Sequence, residues 1–373
     1  MAGLLNDRYP HASLVSGLGS LSRMPPTAIP SAADYFSQPA RGLGMLSPSN
    51  ALAAGSLIGS SSNALGGLLA PISAPSVAHW IAVHEQFRRF NETITLTTEQ
   101  QRDGQIKCAS VVSRLNREYY QTNSGTENSF RVGSWSKGTA VRPPRDVDVY
   151  FLLPVCVHSR FERYAWNKQS ALLQEVKEIL KSSFPDTDLR ADGQVVVVNF
   201  ESFGIEVVPA FSLTTQGRYW ICDTNNGGSY KQTAPWDEVE FLENADLNSA
   251  KNVRPIIRML KAWQYSCNVP IKSFHLELLV TEFVAQSSWR LNNWFYFDWL
   301  MRDFFAFLYH RAHGIIVAPG TSEVILLGND WQSYAASAHR RAARACDLEY
   351  ENRIFEAGEE WQKIFGHTIS RTI

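Results

Sequence analysis

Residues 146–155, DVDVYFLLPV, constrain this chain more than any other stretch. β-Formers alternate there with two aspartates. A strand therefore puts Asp146 and Asp148 on one face and Val147, Val149 and Phe151 on the other. The apolar face has to be covered by other elements of a core. The acidic face cannot be buried in the same way, because two neighbouring carboxylates repel one another unless a cation lies between them. Taken alone, such a pair is also compatible with an ordinary solvated strand face.

The flanking residues bear on that choice. The stretch before it, GSWSKGTAVRPPR (133–145), sets Gly133-Ser134 about twelve residues ahead of the aspartates, and Lys137, Gly138 and Thr139 extend the same loop. A Gly-Ser pair lets a phosphate approach the backbone closely and offers N–H and hydroxyl donors. By itself the loop would be a strand-connecting turn with solvated basic residues. Further on, GIEVVPAF holds Glu206 between Ile205 and Val207, an acidic residue in an apolar run. With the DVD pair upstream, Glu206 is the expected third carboxylate, and Glu201 is the weaker competitor. Magnesium takes oxygen ligands, and a carboxylate cluster of this kind suits two-metal phosphoryl or nucleotidyl transfer. Asp146, Asp148 and Glu206 are thus the candidate catalytic and metal-ligating residues, for two Mg²⁺ ions or Mn²⁺ in their place. Gly133, Ser134, Lys137 and Thr139 are the candidate triphosphate-binding residues.

The patterning divides the chain. Residues 1–75 are rich in Ser, Ala, Gly, Pro and Leu, with few charges. They are read as a disordered extension, with a short helix docking through its leucines as the alternative. Residues 76–235 are expected to form a mixed αβ lobe. Its elements are a helix with Trp80, Val83 and Phe87 on one face, a second helix started by a Thr cap, and the DVD strand. A helix over FERYAWNKQSALLQEVKEILKSSF and the strands QVVVVNF and IEVVPAFSL follow. Residues 236–373 read as helical, through VRPIIRMLKAWQYS, SFHLELLVTEFVAQSS, an aromatic helix and a long final helix near 331–364. The fold class is α+β (mixed αβ), with a cleft between two lobes.

Composition excludes several classes. A formal net charge of −1 gives no overall basic field for DNA or anionic membrane. Five dispersed cysteines without a CxxC argue against a disulfide framework or a structural zinc, and they suit a reducing cytoplasm. The N-terminus lacks the pattern of a secretory signal. The aromatic run 294–309 carries Asp298, Arg302 and Asp303, so it reads as a buried helix rather than a membrane span. His310 and His313 have no Cys or His at metal-ligand spacing, and the basic run HRRAARA (339–345) reads as a solvated helix face.

The Gly-Ser loop, the DVD strand and the later acid together resemble the nucleotidyltransferase superfamily of DNA polymerase β type. The wording GSWSKGTAVRPPRDVDVYFLLP is most similar to the branch of oligoadenylate synthases and cyclic GMP-AMP synthase. Within that branch it resembles the bacterial cGAS/DncV-like nucleotidyltransferases (CD-NTases). KAW and SFHLELL (261–263 and 273–279) and the final AARACDLEYENRIFEAGEEWQKIFG support that branch, over roughly residues 98–366.

The resemblance implies a bilobal nucleotidyltransferase that makes a cyclic oligonucleotide second messenger from ATP or other NTPs in anti-phage signalling of the CBASS type. It also implies that Lys261 and Ser273 contact the donor triphosphate, and that Phe274 stacks on the donor base where relatives commonly have tyrosine. Ala318-Pro319 lacks the acid that relatives often carry there. The implied partners are an effector protein sensing the product and a regulatory or ubiquitin-like conjugation partner. Long nucleic acid is not expected, since zinc ligands and net positive charge are missing. The alternatives are a linear oligoadenylate synthase, an RNA-tailing or protein-nucleotidylating transferase, and a non-catalytic binding module of the same fold.

Overall fold

The computed structural model describes residues 77–213 and 217–372, so the expectation for residues 1–75 lies outside them, as does the Trp80 side chain. In chain order the first elements are helices α1 (Val77–Ile94) and α2 (Thr98–Tyr120), strand β1 (Ser129–Arg131), short helix α3 (Gly133–Lys137) and β2 (Asp146–Leu152). Helices α4 (Val155–Phe161) and α5 (Lys168–Lys181) follow, then strands β3 (Asp188–Asp192), β4 (Val195–Asn199), β5 (Gly204–Ser212), β6 (Tyr219–Asp223) and β7 (Ser229–Thr233). The rest comprises α6 (Pro235–Leu247), α7 (Val253–Ser266), α8 (Ser273–Gln286), α9 (Phe297–His310), the hairpin β8 (Ile315–Val317) and β9 (Val324–Leu326), α10 (Gln332–Tyr350) and α11 (Ile354–Phe365).

Strands β1–β7 form one mixed sheet in the order β1-β2-β5-β4-β3, with β6 on the far half of β5 and β7 beyond it. Strands β2 and β5 are parallel, which requires a crossover, and residues 153–203 supply it. The alternation in β2 works as its sequence requires. Val147, Val149 and Phe151 pack with Ile205 and Val207 of β5 under α2 and α5, through Val111, Val112, Leu115, Leu172, Val176 and Leu180. Helix α2 begins with a capping box, in which Thr97 Oγ1 accepts from the Gln100 N–H at 3.1 Å and Gln100 Oε1 accepts from the Thr97 N–H at 3.0 Å. Strand β7 goes beyond the sequence patterning, since SYKQT has no apolar alternation and owes its state to pairing with β6.

The helical core joins α6–α11 with α1. Val83, Phe87, Phe90 and Ile94 of α1 pack with Trp263, Phe305, Trp361 and Phe365. The sequence reading grouped α1 with the residues of the sheet lobe; its apolar face lies instead in the core of the helices. Helical periodicity identifies a buried face but carries no information about which groove receives it.

Two expected helices differ in extent from the sequence reading. The helix expected over 161–184 begins only at Lys168, because Asn167 caps α5 by accepting from the Ser170 N–H at 2.9 Å, and the short α4 precedes it. The final helix divides at Asn352, whose φ of 59° is left-handed, and α11 turns back onto α10.

Between α9, α10 and α11 lies a buried acid pair. Asp298 and Glu349 are each 1% exposed, and Trp361 Nε1 donates to Glu349 Oε1 at 2.8 Å. Among the described residues, Glu349 Oε2 and Asp298 Oδ1 receive no donor from outside the pair. Arg302, one turn after Asp298, bonds Asp303 at 2.8 Å. Burial pushes the Asp298 carboxyl up to about 7, and burial and Asp298 push Glu349 well above the carboxylate range, so the pair holds a proton between them. The folded state then keeps a proton that the unfolded state releases above about pH 4, and stability falls as pH rises towards and through about 7. Glu349→Gln keeps an acceptor for Trp361 and offers Asp298 an N–H in place of the shared proton. Urea unfolding is expected to show the variant more stable than wild type at pH 8 by about 1–3 kcal/mol, with the gain shrinking at pH 5. A gain equal at both pH values would mean that no proton is shared.

Candidate active site

Asp146, Asp148 and Tyr150 project from β2 on the face opposite the α2/α5 core, and Glu206 and Val208 project beside them from β5. The parallel register sets Asp148 directly against Glu206, and Asp146 against Gly204. The Asp148 and Glu206 carboxyls therefore lie side by side on the same sheet face. Burial, then Asp146 and Glu206, pushes the Asp148 carboxyl up to about 7, and burial and Asp146 raise Glu206 as well. Glu201 is exposed in the turn before β5 and lies off this face.

Gly133-Ser134 stands over the carboxylates, but as the first residues of helix α3 rather than as the expected open loop. The Val132 N–H donates to the Asp148 carbonyl at 2.9 Å, and Trp135 Nε1 donates to the Asp146 carbonyl at 2.6 Å. These two bonds lock α3 to the start of β2. Gly133 has φ +61°, and a Cβ there would lie 2.1 Å from Asp148 Oδ2. Only glycine permits this approach.

A cleft of about 500 Å³ opens above the carboxylates, lined also by Gly133, Ser134, Lys137, Lys261, Ser273 and Phe274. Its far wall is the helical lobe. Ser273 opens α8 and donates to Gln264 Oε1 at 2.9 Å. Phe274 is half-buried, with the Lys137 ammonium 4.8 Å from its ring centroid. At the rim the Arg145 guanidinium lies 4.7 Å over the Tyr265 ring.

Lys137 and Lys261, expected as triphosphate ligands, both line the cleft and share a buried partner, Glu277. Lys137 Nζ lies 3.0 Å from Glu277 Oε2 and 2.7 Å from Glu238 Oε2, and Lys261 Nζ lies 2.7 Å from Glu277 Oε1. Thr139 is fully buried, donates to Glu277 Oε1 at 2.8 Å and accepts from Lys261 at 3.1 Å. It does not line the cleft, so the sequence expectation for Thr139 is corrected: it holds the lysines rather than facing a ligand.

Helix α7 completes the junction. Arg254, Arg258 and Lys261 donate to the carbonyls of Lys137, Gly138 and Thr139 at 2.8, 2.8 and 3.2 Å. Burial brings the Arg258 guanidinium down to about 10. Sequence reading passed over Glu277, Arg254 and Arg258. The arginines had a signal in the i, i+4, i+7 spacing of basic residues on one face of VRPIIRMLKAW; Glu277 had none beyond being an acid in an apolar helix.

Residues 81–246 match the Second Messenger Oligonucleotide or Dinucleotide Synthetase (SMODS) domain. The chain is thereby similar to the cGAS/DncV-like nucleotidyltransferases. It is 25% identical over 156 residues to a CBASS oligonucleotide cyclase, CdnC, of Escherichia coli (strain KTE188), a match covering 40% of the chain and 48% of the relative. The chain thus matches about half the length of its curated relatives. Among solved structures, E. coli MS115-1 CdnC with ATP superimposes at TM-score 0.59 and 17% identity, covering 77% of this chain and 98% of that one. Vibrio cholerae DncV cyclic AMP-GMP synthase, bound to the linear intermediate pppA(3′,5′)pG, does so at 0.60 and 13%, covering 78% and 96%. The bilobal polymerase β-like fold of this chain is the one these structures share.

Proposed function

We propose that this chain is a CD-NTase, which joins NTPs into a cyclic oligonucleotide signal in CBASS-type anti-phage defence. The observation that carries the reading is the gathering of Asp146, Asp148 and Glu206 on one face of two paired strands, beneath Gly133-Ser134. The residues fit a divalent cation: three oxygen-donor side chains crowd one another enough to raise two of their pKa values, which a cation would relieve. When bound, Mg²⁺ would supply charge neutralisation on the donor phosphates and a lowered pKa for the acceptor hydroxyl.

The chain's own groups do the rest. The Gly133-Ser134 backbone and hydroxyl, Lys137, Lys261 and Ser273 hold the triphosphate against in-line attack. Phe274 takes the donor base. As the acceptor ribose oxygen bonds to the α-phosphorus, a Glu206 oxygen takes its proton and the bond to the β-phosphate oxygen breaks, releasing pyrophosphate. The named relatives support the reading, one solved with ATP and one as a complex of CdnC with a HORMA protein. By that likeness we assign this chain a regulatory protein partner of similar kind and a cytoplasmic site of action. Among the described residues no helix is long and apolar enough to cross a membrane.

The test is mass spectrometry of phosphatase-treated products from the full chain, an equimolar NTP mixture and Mg²⁺. A phosphatase-resistant cyclic species with pyrophosphate release is expected. A digestible ladder or a labelled protein would replace this function with linear synthesis or protein nucleotidylation. No incorporation from any NTP, with Mg²⁺ or Mn²⁺, would make the chain a binding module.

A further inference from the structure

Glu277 is 5% exposed and lies on α8, in the helical lobe, yet two of its three donors come from the sheet lobe. Lys137 reaches it from the end of α3, Thr139 from the turn just after, and Lys261 from α7. Both carboxylate oxygens are thereby engaged. Lys137 and Lys261 are themselves 4% and 6% exposed, and both line the cleft. Burial alone would raise the Glu277 carboxyl; the two ammonium groups outweigh it and hold it down to about 2, so Glu277 stays charged throughout the working range.

The local charge sum decides what this carboxylate can do. Lys137 and Lys261 contribute two positive charges, and Glu277 and Glu238 contribute two negative ones. The cluster is neutral, so Glu277 weakens the general attraction of the site for an anion. Glu277 does, however, determine where the ammonium groups sit. A lysine has four flexible bonds and loses much entropy when fixed, whereas here two lysines from opposite lobes meet at one buried anion. A triphosphate entering the cleft then finds donors already in place, and a buried ion pair broken on one side leaves its partner uncompensated.

We infer that Glu277 is a positioning residue, which fixes Lys137 of the sheet lobe and Lys261 of the helical lobe at a single point and so preassembles the triphosphate site across the cleft. This rests on the reading of the cleft as a triphosphate site. Glu277 acts through the two lysines, which pair with its two carboxylate oxygens.

The charge sum predicts a signature that general destabilisation would not produce. Glu277→Gln keeps the shape, gives the cluster a net positive charge and releases the lysines. KM for NTP is expected to stay level or fall, while kcat falls at least about tenfold. Without any nucleotide, amide hydrogen exchange of residues 133–140 in the full chain is expected to quicken about tenfold, because that segment loses its tie to α8. Lys137→Met, which removes the interlobe pair and leaves Lys261 with Glu277, is expected to reproduce the faster exchange if Glu277→Gln does not fold. Wild-type kcat together with wild-type exchange in Glu277→Gln would overturn the inference, as would a raised KM at unchanged kcat. A wild-type protein that turns over no NTP would sink the proposed function instead, and the exchange measurement would still decide whether Glu277 ties the lobes.

Discussion

With Asp146 and Asp148 both replaced by alanine, nucleotide incorporation is expected to fall by about a thousandfold or more. The two side chains supply two of the three carboxylates on the cleft floor, and losing the cation they would hold removes several kcal/mol of charge stabilisation. The fold should survive, because the structural work of β2 is done by Val147, Val149 and Phe151 on the opposite face. In chelator the double variant is expected to melt no lower than wild type, since crowded like charges are relieved. Addition of Mg²⁺ should raise the melting temperature of wild type and leave the variant unmoved. Pyrophosphate release and differential scanning fluorimetry check both arms. Retained incorporation by the double variant would remove the carboxylates from the mechanism.

The second large effect is expected at Gly133, where alanine meets two obstacles at once. Its φ of +61° costs an L-residue roughly 1–2 kcal/mol, and its Cβ would fall 2.1 Å from Asp148 Oδ2. Either α3 or Asp148 must move, and a displacement of the order of 1 Å at reacting groups costs about a hundredfold in rate. Gly133→Ala is therefore expected to lose about a hundredfold in kcat, with a drop in unfolding free energy of about 1–3 kcal/mol. A structure of the variant should show the shift. An unmoved Asp148 with activity retained would mean that the close approach serves only the turn.

These two predictions rest on residues that stand out in the sequence for physical reasons. The DVD alternation needs only the two-residue period of a strand, so one open acidic face and one buried apolar face follow from seven residues. The Thr97–Gln100 cap and the helical faces of α7 and α8 are equally local. The helix start at Asn167 and the break at Asn352 had weaker signals, because one asparagine within an otherwise periodic helical pattern does not say whether it caps or merely sits on the surface. Thr139 was read as part of a phosphate loop because adjacency in sequence says nothing of the direction in which a side chain points after a turn at Gly138.

The sequence by itself thus determined the chemistry on offer: which carboxylates share a strand face, where a glycine can admit a phosphate, and which segments form helices. Each of those properties depends on backbone periodicity or sterics within a few residues. Tertiary structure alone decided the partnerships. The crossover between β2 and β5 set Glu206 in register with Asp148, the groove among α7–α11 received α1, and the closure of the lobes brought Lys137, Lys261 and Thr139 to Glu277. Burying one carboxylate among two lysines is favourable only when all of them arrive together. That condition belongs to the packed molecule and to no local stretch of its chain.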